Sequence, residues 1–174
     1  ASIGLPMEDR FVAELERLGL TGADAPILIQ CFEVGPLERL SKRIDAPLAQ
    51  LVNASGAPAD RPEQSYADMI TAEGLSRIAE YAAWVAPEMT LVLPRGAEKR
   101  SGAPSTLAAD AHAAGLKVVV WTARAENAFL PAEHRRGVDF AAHGDMPAYV
   151  RALAAAGVDG VFSDFPGLAR EGLR

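Results

Sequence analysis

A single cysteine, Cys31, stands among 174 residues, so no intrachain disulfide can form and no cysteine-rich zinc site can be built. One thiol leaves the redox compartment open. Histidine is scarce as well: His112, His134 and His143 fall at spacings that match no recognised metal motif. No apolar run approaches the ~20 residues that cross a bilayer, and the first residues lack a charged stretch followed by an apolar one, which predicts no membrane span and no signal peptide. An excess of cations is also missing. Against 17 Lys and Arg stand 23 Asp and Glu, a formal charge of −6; a nucleic-acid partner is disfavoured, because binding a phosphate backbone needs clustered positive charge. The small basic spots at Arg95, Lys99 and Arg100, and at Arg135 and Arg136, carry none of the interleaved aromatics of a single-strand binding surface.

What remains is an ordinary globular composition, 49% apolar and 23% charged, with enough chain for a substantial core. Met7, Phe11, Leu15 and Leu18 recur at helical spacing and predict an outer-layer helix over 7–18. An apolar run at 26–31 reads as a buried strand, followed by a short helix over 37–44 and a strand over 47–52. Gln50 inside that second strand needs a hydrogen-bond partner or a place facing a site. Residues 53–66 form the first long loop, and Thr71 with Gly74 opens a helix leading into a strand at 84–86. The stretch 88–100 fits no element clearly. A helix begins near Pro104 and is ended by Gly115; residues 116–121 are the clearest strand, and a helix over 146–156, with Tyr149, Val150 and Leu153 on one face, feeds a last strand ending at Asp164 and Pro166. Helix and strand alternate without polar alternation inside the strands, which predicts a parallel sheet covered by helices. On length and composition alone, a partial barrel and a complete five-stranded doubly wound domain fit equally, since a whole (β/α)₈ barrel takes about 250 residues.

Four stretches break that tie: 157–166 (G-V-D-G-V-F-S-D-F-P), 104–131, 27–33 (I-L-I-Q-C-F-E) and 81–87 (Y-A-A-W-V-A-P). Together they resemble the glycerophosphodiester phosphodiesterase family over nearly the whole chain, matching only the C-terminal half of that family. Cys31 replaces a serine of the family's Q-S-F strand end. The family's H-R-G motif, its E-x-D pair, its second catalytic histidine in an H-D context and its E-x-K strand are not found; His134-Arg135 is followed by another arginine in a polar loop. The resemblance implies an α/β fold, a partial TIM (β/α)₈ barrel of the PLC-like phosphodiesterase type missing its N-terminal strands, with residues 1–174 as a single unit. The strand near 27–29 then exposes an edge.

In parallel α/β folds, working residues gather beyond the C-terminal ends of strands. By resemblance Gln30 and Phe32 contact the apolar side of the cleft and the glycerol moiety, and Trp121 borders the substrate face. Phe32 equally suits plain core. Arg124 suits a phosphate oxygen and equally a salt bridge to Glu126. Asp164 suits orienting a site group and equally capping the next turn. Cys31 reads as a buried thiol, His112 as a surface or interhelical residue, and His143 as a loop residue. No catalytic residue and no metal ligand is expected in this chain. The resemblance implies hydrolysis of glycerophosphodiesters to an alcohol and glycerol 3-phosphate, within glycerol and lipid metabolism, by an enzyme that uses calcium or magnesium held elsewhere. The chain is expected to supply cleft walls and to be inactive alone. The bacterial branch it resembles implies a periplasmic or secreted location. Two other readings stay open: a non-catalytic half-barrel assembling with itself or a complementing half through exposed strand edges, and a small α/β ligand-binding domain.

Overall fold

The computed structural model describes residues 7–174. The chain packs as two compact units, the first ending at Val85 and the second running from Ala86 to Arg174.

In the first unit α1 (Met7–Leu18) is followed by β1 (Ile29–Cys31), α2 (Val34–Leu40), β2 (Leu48–Val52), α3 (Tyr66–Met69), α4 (Ala72–Ile78) and the start of β3 (Trp84–Pro87). β1 and β2 are parallel, with Gln30 opposite Ala49. The N–H of Ala83 donates to Leu48 O across 3.2 Å, at the entry to β3. All five residues of β2 are buried, as a strand covered on both faces requires. β1 is shorter than the apolar run predicted, three residues only. The helix expected from residue 37 starts at Val34 instead. Asp60, on the long loop, accepts the N–H groups of Val34 (3.1 Å) and Gly35 (2.7 Å), satisfying the open end of that helix from a distance no local pattern reveals. α3 was not expected; a capping box between Ser65 and Asp68 starts it. Thr71 caps α4 by accepting from Gly74 N–H, as its spacing predicts.

The second unit holds the end of β3, α5 (Met89–Val92), α6 (Leu107–Ala113), β4 (Lys117–Ala123), α7 (Met146–Ala155), β5 (Gly160–Ser163) and α8 (Pro166–Gly172). β4 and β5 pair in parallel, with a register shift between Val120 and Ala123. α6 begins three residues after Pro104, because Ser105 is held in the preceding connection: its N–H donates to Val92 O and its hydroxyl to Leu91 O. Gly115 ends that helix with φ +84°, a conformation side chains disfavour. Tyr149, Val150 and Leu153 of α7 are buried, matching the predicted face.

Neighbouring strands follow chain order, β1-β2-β3 in the first unit and β3-β4-β5 in the second. A doubly wound domain of flavodoxin type would instead place β1 between β2 and β3. Strands that neighbour one another in chain order, with helices between them, follow the order of a (β/α)₈ barrel, and the described residues hold five such strands.

Candidate functional site

Three consecutive strands of the second unit each hand over to an ionisable residue: Glu88 follows β3, Arg124 follows β4 and Asp164 follows β5. Arg124 Nε lies 2.8 Å from Asp164 Oδ2, with the two side chains 40% and 55% exposed. Two residues singled out separately in the sequence are thus one ion pair, and the expected Arg124–Glu126 bridge is replaced by it. Asp164 does not cap α8, whose N-cap is Phe165 with no side-chain bond. The guanidinium of Arg124 sits 4.6 Å from the Phe129 ring centroid, a distance at which the ring face attracts a cation.

Trp121 lies within β4, its indole N–H donating to Ala86 O across 2.7 Å, and the Trp121–Thr122 peptide bond is cis. Its main chain bridges to Glu88 in parallel fashion. Glu88, Met89, Trp121, Thr122, Arg124 and Phe129 line a cavity of about 250 Å³. Ser163 fixes the turn that presents Asp164: its hydroxyl donates to Ala123 O (2.8 Å) and accepts from Phe165 N–H (2.9 Å). Glu88 and Ser163 were missed by sequence reasoning. The rule that finds Arg124 and Asp164, the residue just past a parallel strand, finds Glu88 as well once β3 is known to run through Pro87.

In the first unit Phe32 meets Tyr66 edge-on at 6.2 Å. Gln30 is exposed and lines a different feature, a groove of about 450 Å³ shared with Met7, Phe11, Glu33, Pro36 and Leu37. Gln50 is fully buried and partnered: its amide donates to Phe32 O and Leu51 O (both 2.9 Å), and its carbonyl accepts from the Tyr81 hydroxyl (2.9 Å). It faces no site. Cys31 is half-buried rather than buried, and burial, then the neighbouring Glu33 carboxylate, push its thiol up to about 11, which favours the protonated form at neutral pH.

The histidines serve the scaffold. His112 Nε2 is 2.8 Å from Asp159 Oδ2, which also accepts from Val118 N–H. His143 packs edge-on against Phe165 at 4.8 Å. His134 stacks 5.6 Å from Tyr149, and burial lowers its affinity for a proton. Beside it, burial alone would raise Glu133, yet the Ser101 N–H at 2.9 Å and other hydrogen bonds outweigh that and hold its carboxyl at about 2. A carboxyl lowered on folding stabilises the protein above its ordinary value of 4.5, and that contribution is lost as pH falls toward about 2. Glu133→Gln should therefore flatten the acid side of the stability profile, read as urea midpoints between about pH 5 and 2.5. A variant profile as steep as that of the parent over this window would contradict the assignment.

Among the described residues no group of three or more His, Cys, Asp or Glu is placed to hold a metal ion. At the strand ends the donors are Glu88 and Asp164, the latter held by a cation, and this set does not fit a divalent metal centre.

The model of the "Glycerophosphoryl diester phosphodiesterase family" matches residues 5–168. The chain belongs to this family. Among solved structures, a Silicibacter pomeroyi DSS-3 protein assigned as a glycerophosphoryl diester phosphodiesterase superposes with a TM-score of 0.60 at 22% identity, covering 96% of this chain and 43% of that one. An Agrobacterium tumefaciens protein with the same assignment gives 0.56 at 19% identity, covering 96% of this chain and 51% of that one. The chain thus spans about half the length of these relatives. At such identities the likeness establishes the fold, the partial barrel of the glycerophosphodiester phosphodiesterase type.

Proposed function

We propose that this chain supplies the substrate-holding walls of an enzyme that hydrolyses glycerophosphodiesters to an alcohol and glycerol 3-phosphate. The observation that carries the reading is the Arg124–Asp164 pair beside Trp121, at the C-terminal ends of parallel strands. A guanidinium presents planar donors suited to phosphate oxygens, and Asp164 fixes its direction while leaving the far edge of the fork available. The Trp121 ring offers an apolar face to the glycerol carbons, and water is displaced from that face on binding. Proton transfer and the calcium or magnesium chemistry of the family fall to residues beyond this chain, so the chain alone holds substrate without turning it over. β1 pairs only with β2 among the described residues, and Met7 and Phe11 beside it remain exposed, which supports joining to the rest of the enzyme along this edge.

Two measurements test the reading. Offered a glycerophosphodiester with calcium or magnesium, the chain should bind saturably and release no glycerol 3-phosphate; turnover would overturn the division of labour. Arg124→Gln should weaken glycerol 3-phosphate binding by about tenfold or more, since hydrogen bonds to charged groups contribute roughly 1.5–3 kcal/mol. Its stability should move by less than about 1 kcal/mol, because the pair is about half exposed and screened by water. Unchanged affinity in the variant would remove Arg124 from the site.

A further inference from the structure

A second cavity, of about 390 Å³, adjoins the one bordered by Trp121, sharing Glu88, Met89 and Phe129 with it. Arg95, Lys99 and Arg135 line it, with Phe129 and Phe140 as apolar walls. Three cations gather here in a chain whose formal charge is −6. Two of them are held by neutral partners. Arg95 Nη2 donates to Phe129 O (2.5 Å), and Arg135 Nε donates to Leu130 O (3.0 Å) with its guanidinium 5.6 Å from the Phe140 centroid. Carbonyls and ring faces orient a guanidinium without cancelling its charge. Among the described residues the lining holds one carboxylate, Glu88, whose Oε2 accepts from the N–H and hydroxyl of Thr90; three cations therefore stand against one anion.

The carriers of these side chains are fastened. The loop at 94–102 closes on itself through Gly96 N–H to Arg100 O and Gly102 N–H to Pro94 O, both 2.7 Å, and is tied to the second carrier by Ser101 N–H on Glu133. The loop after β4 is knit by Asn127, 2% exposed, whose amide donates to Arg136 O and Asp139 O (both 2.8 Å) and accepts from Arg136 N–H (2.9 Å). Cations on such a frame lose little freedom when an anion arrives.

We propose that this cavity receives the alcohol part of the substrate when that part carries its own phosphate or carboxylate. The inference rests on the functional reading above and adds the substrate class: doubly anionic glycerophosphodiesters are preferred over neutral or cationic ones. Arg95, Lys99 and Arg135 are specificity-determining here, acting on the part of the substrate remote from the bond that is cleaved.

The test is a set of binding titrations on the chain. Glycerophosphoglycerol carrying a terminal phosphate should bind about tenfold tighter than glycerophosphoglycerol, and glycerophosphocholine weakest. Lys99→Glu should abolish the advantage of the terminal phosphate, while Lys42→Glu, the same charge change outside the cavity, should keep it. Arg95→Lys, which keeps the charge and loses the planar fork, gives a second reading should the first variant fold poorly. Equal affinity for the three compounds, or a preference that survives both cavity variants, would overturn the proposal. Should no diester bind at all, the functional reading fails, and titration with inorganic phosphate decides the cavity separately: saturable shifts of the Arg95 and Arg135 Nε–H resonances support an anion site, and none refutes it.

Discussion

Replacing Gln50 by leucine should lower the stability of the chain by about 2–3 kcal/mol despite an apolar side chain of similar size entering a fully buried position. The loss comes from what is left behind. Among the described residues Gln50 is the hydrogen-bond partner of the half-buried Tyr81 hydroxyl, and it caps the carbonyl of Phe32, which lies just beyond the end of β1. Burial already pushes the Tyr81 phenol up, a sign of how poorly that pocket tolerates uncompensated polarity. Tyr81→Phe should cost less, about 1–2 kcal/mol: it leaves the buried Gln50 carbonyl without the hydroxyl it accepts from, but keeps the bonds of the Gln50 amide N–H groups. In the double variant the two losses should not add, and the coupling measures the Gln50–Tyr81 bond. Urea midpoints for the four proteins suffice; strict additivity would show that the bond contributes nothing.

Asn127→Ala should cost about 2–4 kcal/mol and loosen the loop after β4 well before it unfolds β4 itself. Three hydrogen bonds from one amide hold Arg136 and Asp139 around Asn127, while Gly144 N–H reaches Ala125 O at 2.8 Å. A Cβ at Gly144 would lie 2.5 Å from Asn127 Oδ1, so loop and amide are packed without slack. Asn127→Asp, nearly the same shape, should be at least as harmful, since a carboxylate would face two carbonyls it cannot bond. Amide exchange at Arg136 and Gly144 should accelerate in both variants while Val118 and Val120 stay protected. Rates unchanged at the first pair would mean that the loop is held by something else.

The parts of this fold legible in the sequence are those set by local pattern. α1 runs over the predicted 7–18 and α7 over nearly all of 146–156, because an apolar stripe with clear ends specifies a helix without outside help. Yet only Val12 and Leu15 of α1 are buried, while Met7, Phe11 and Leu18 are exposed. Boundaries decided by distant partners were not legible: Asp60 draws the start of α2 forward, and Leu91 with Val92 delays α6. The candidate site divides in the same way. Trp121, Arg124 and Asp164 follow from the rule that parallel strands deliver their useful side chains at their C-terminal ends, but which charges pair is a matter of tertiary geometry. Gln50, conspicuous as a polar residue in an apolar strand, belongs to the scaffold because Tyr81, 31 residues on, satisfies it. Glu88 was hidden because the predicted strand stops at Ala86, where Pro87 reads as a breaker, whereas β3 runs through Pro87.

The most direct test of the account is to follow the Trp121 indole N–H and the Arg124 Nε–H by NMR as the chain is titrated with glycerol 3-phosphate. The account predicts saturable shifts of both resonances along a common binding curve, displaced to higher concentration in Arg124→Gln. Resonances that stay fixed up to tens of millimolar ligand, where binding would be worth less than about 3 kcal/mol, would contradict the claim that these strand ends hold the substrate.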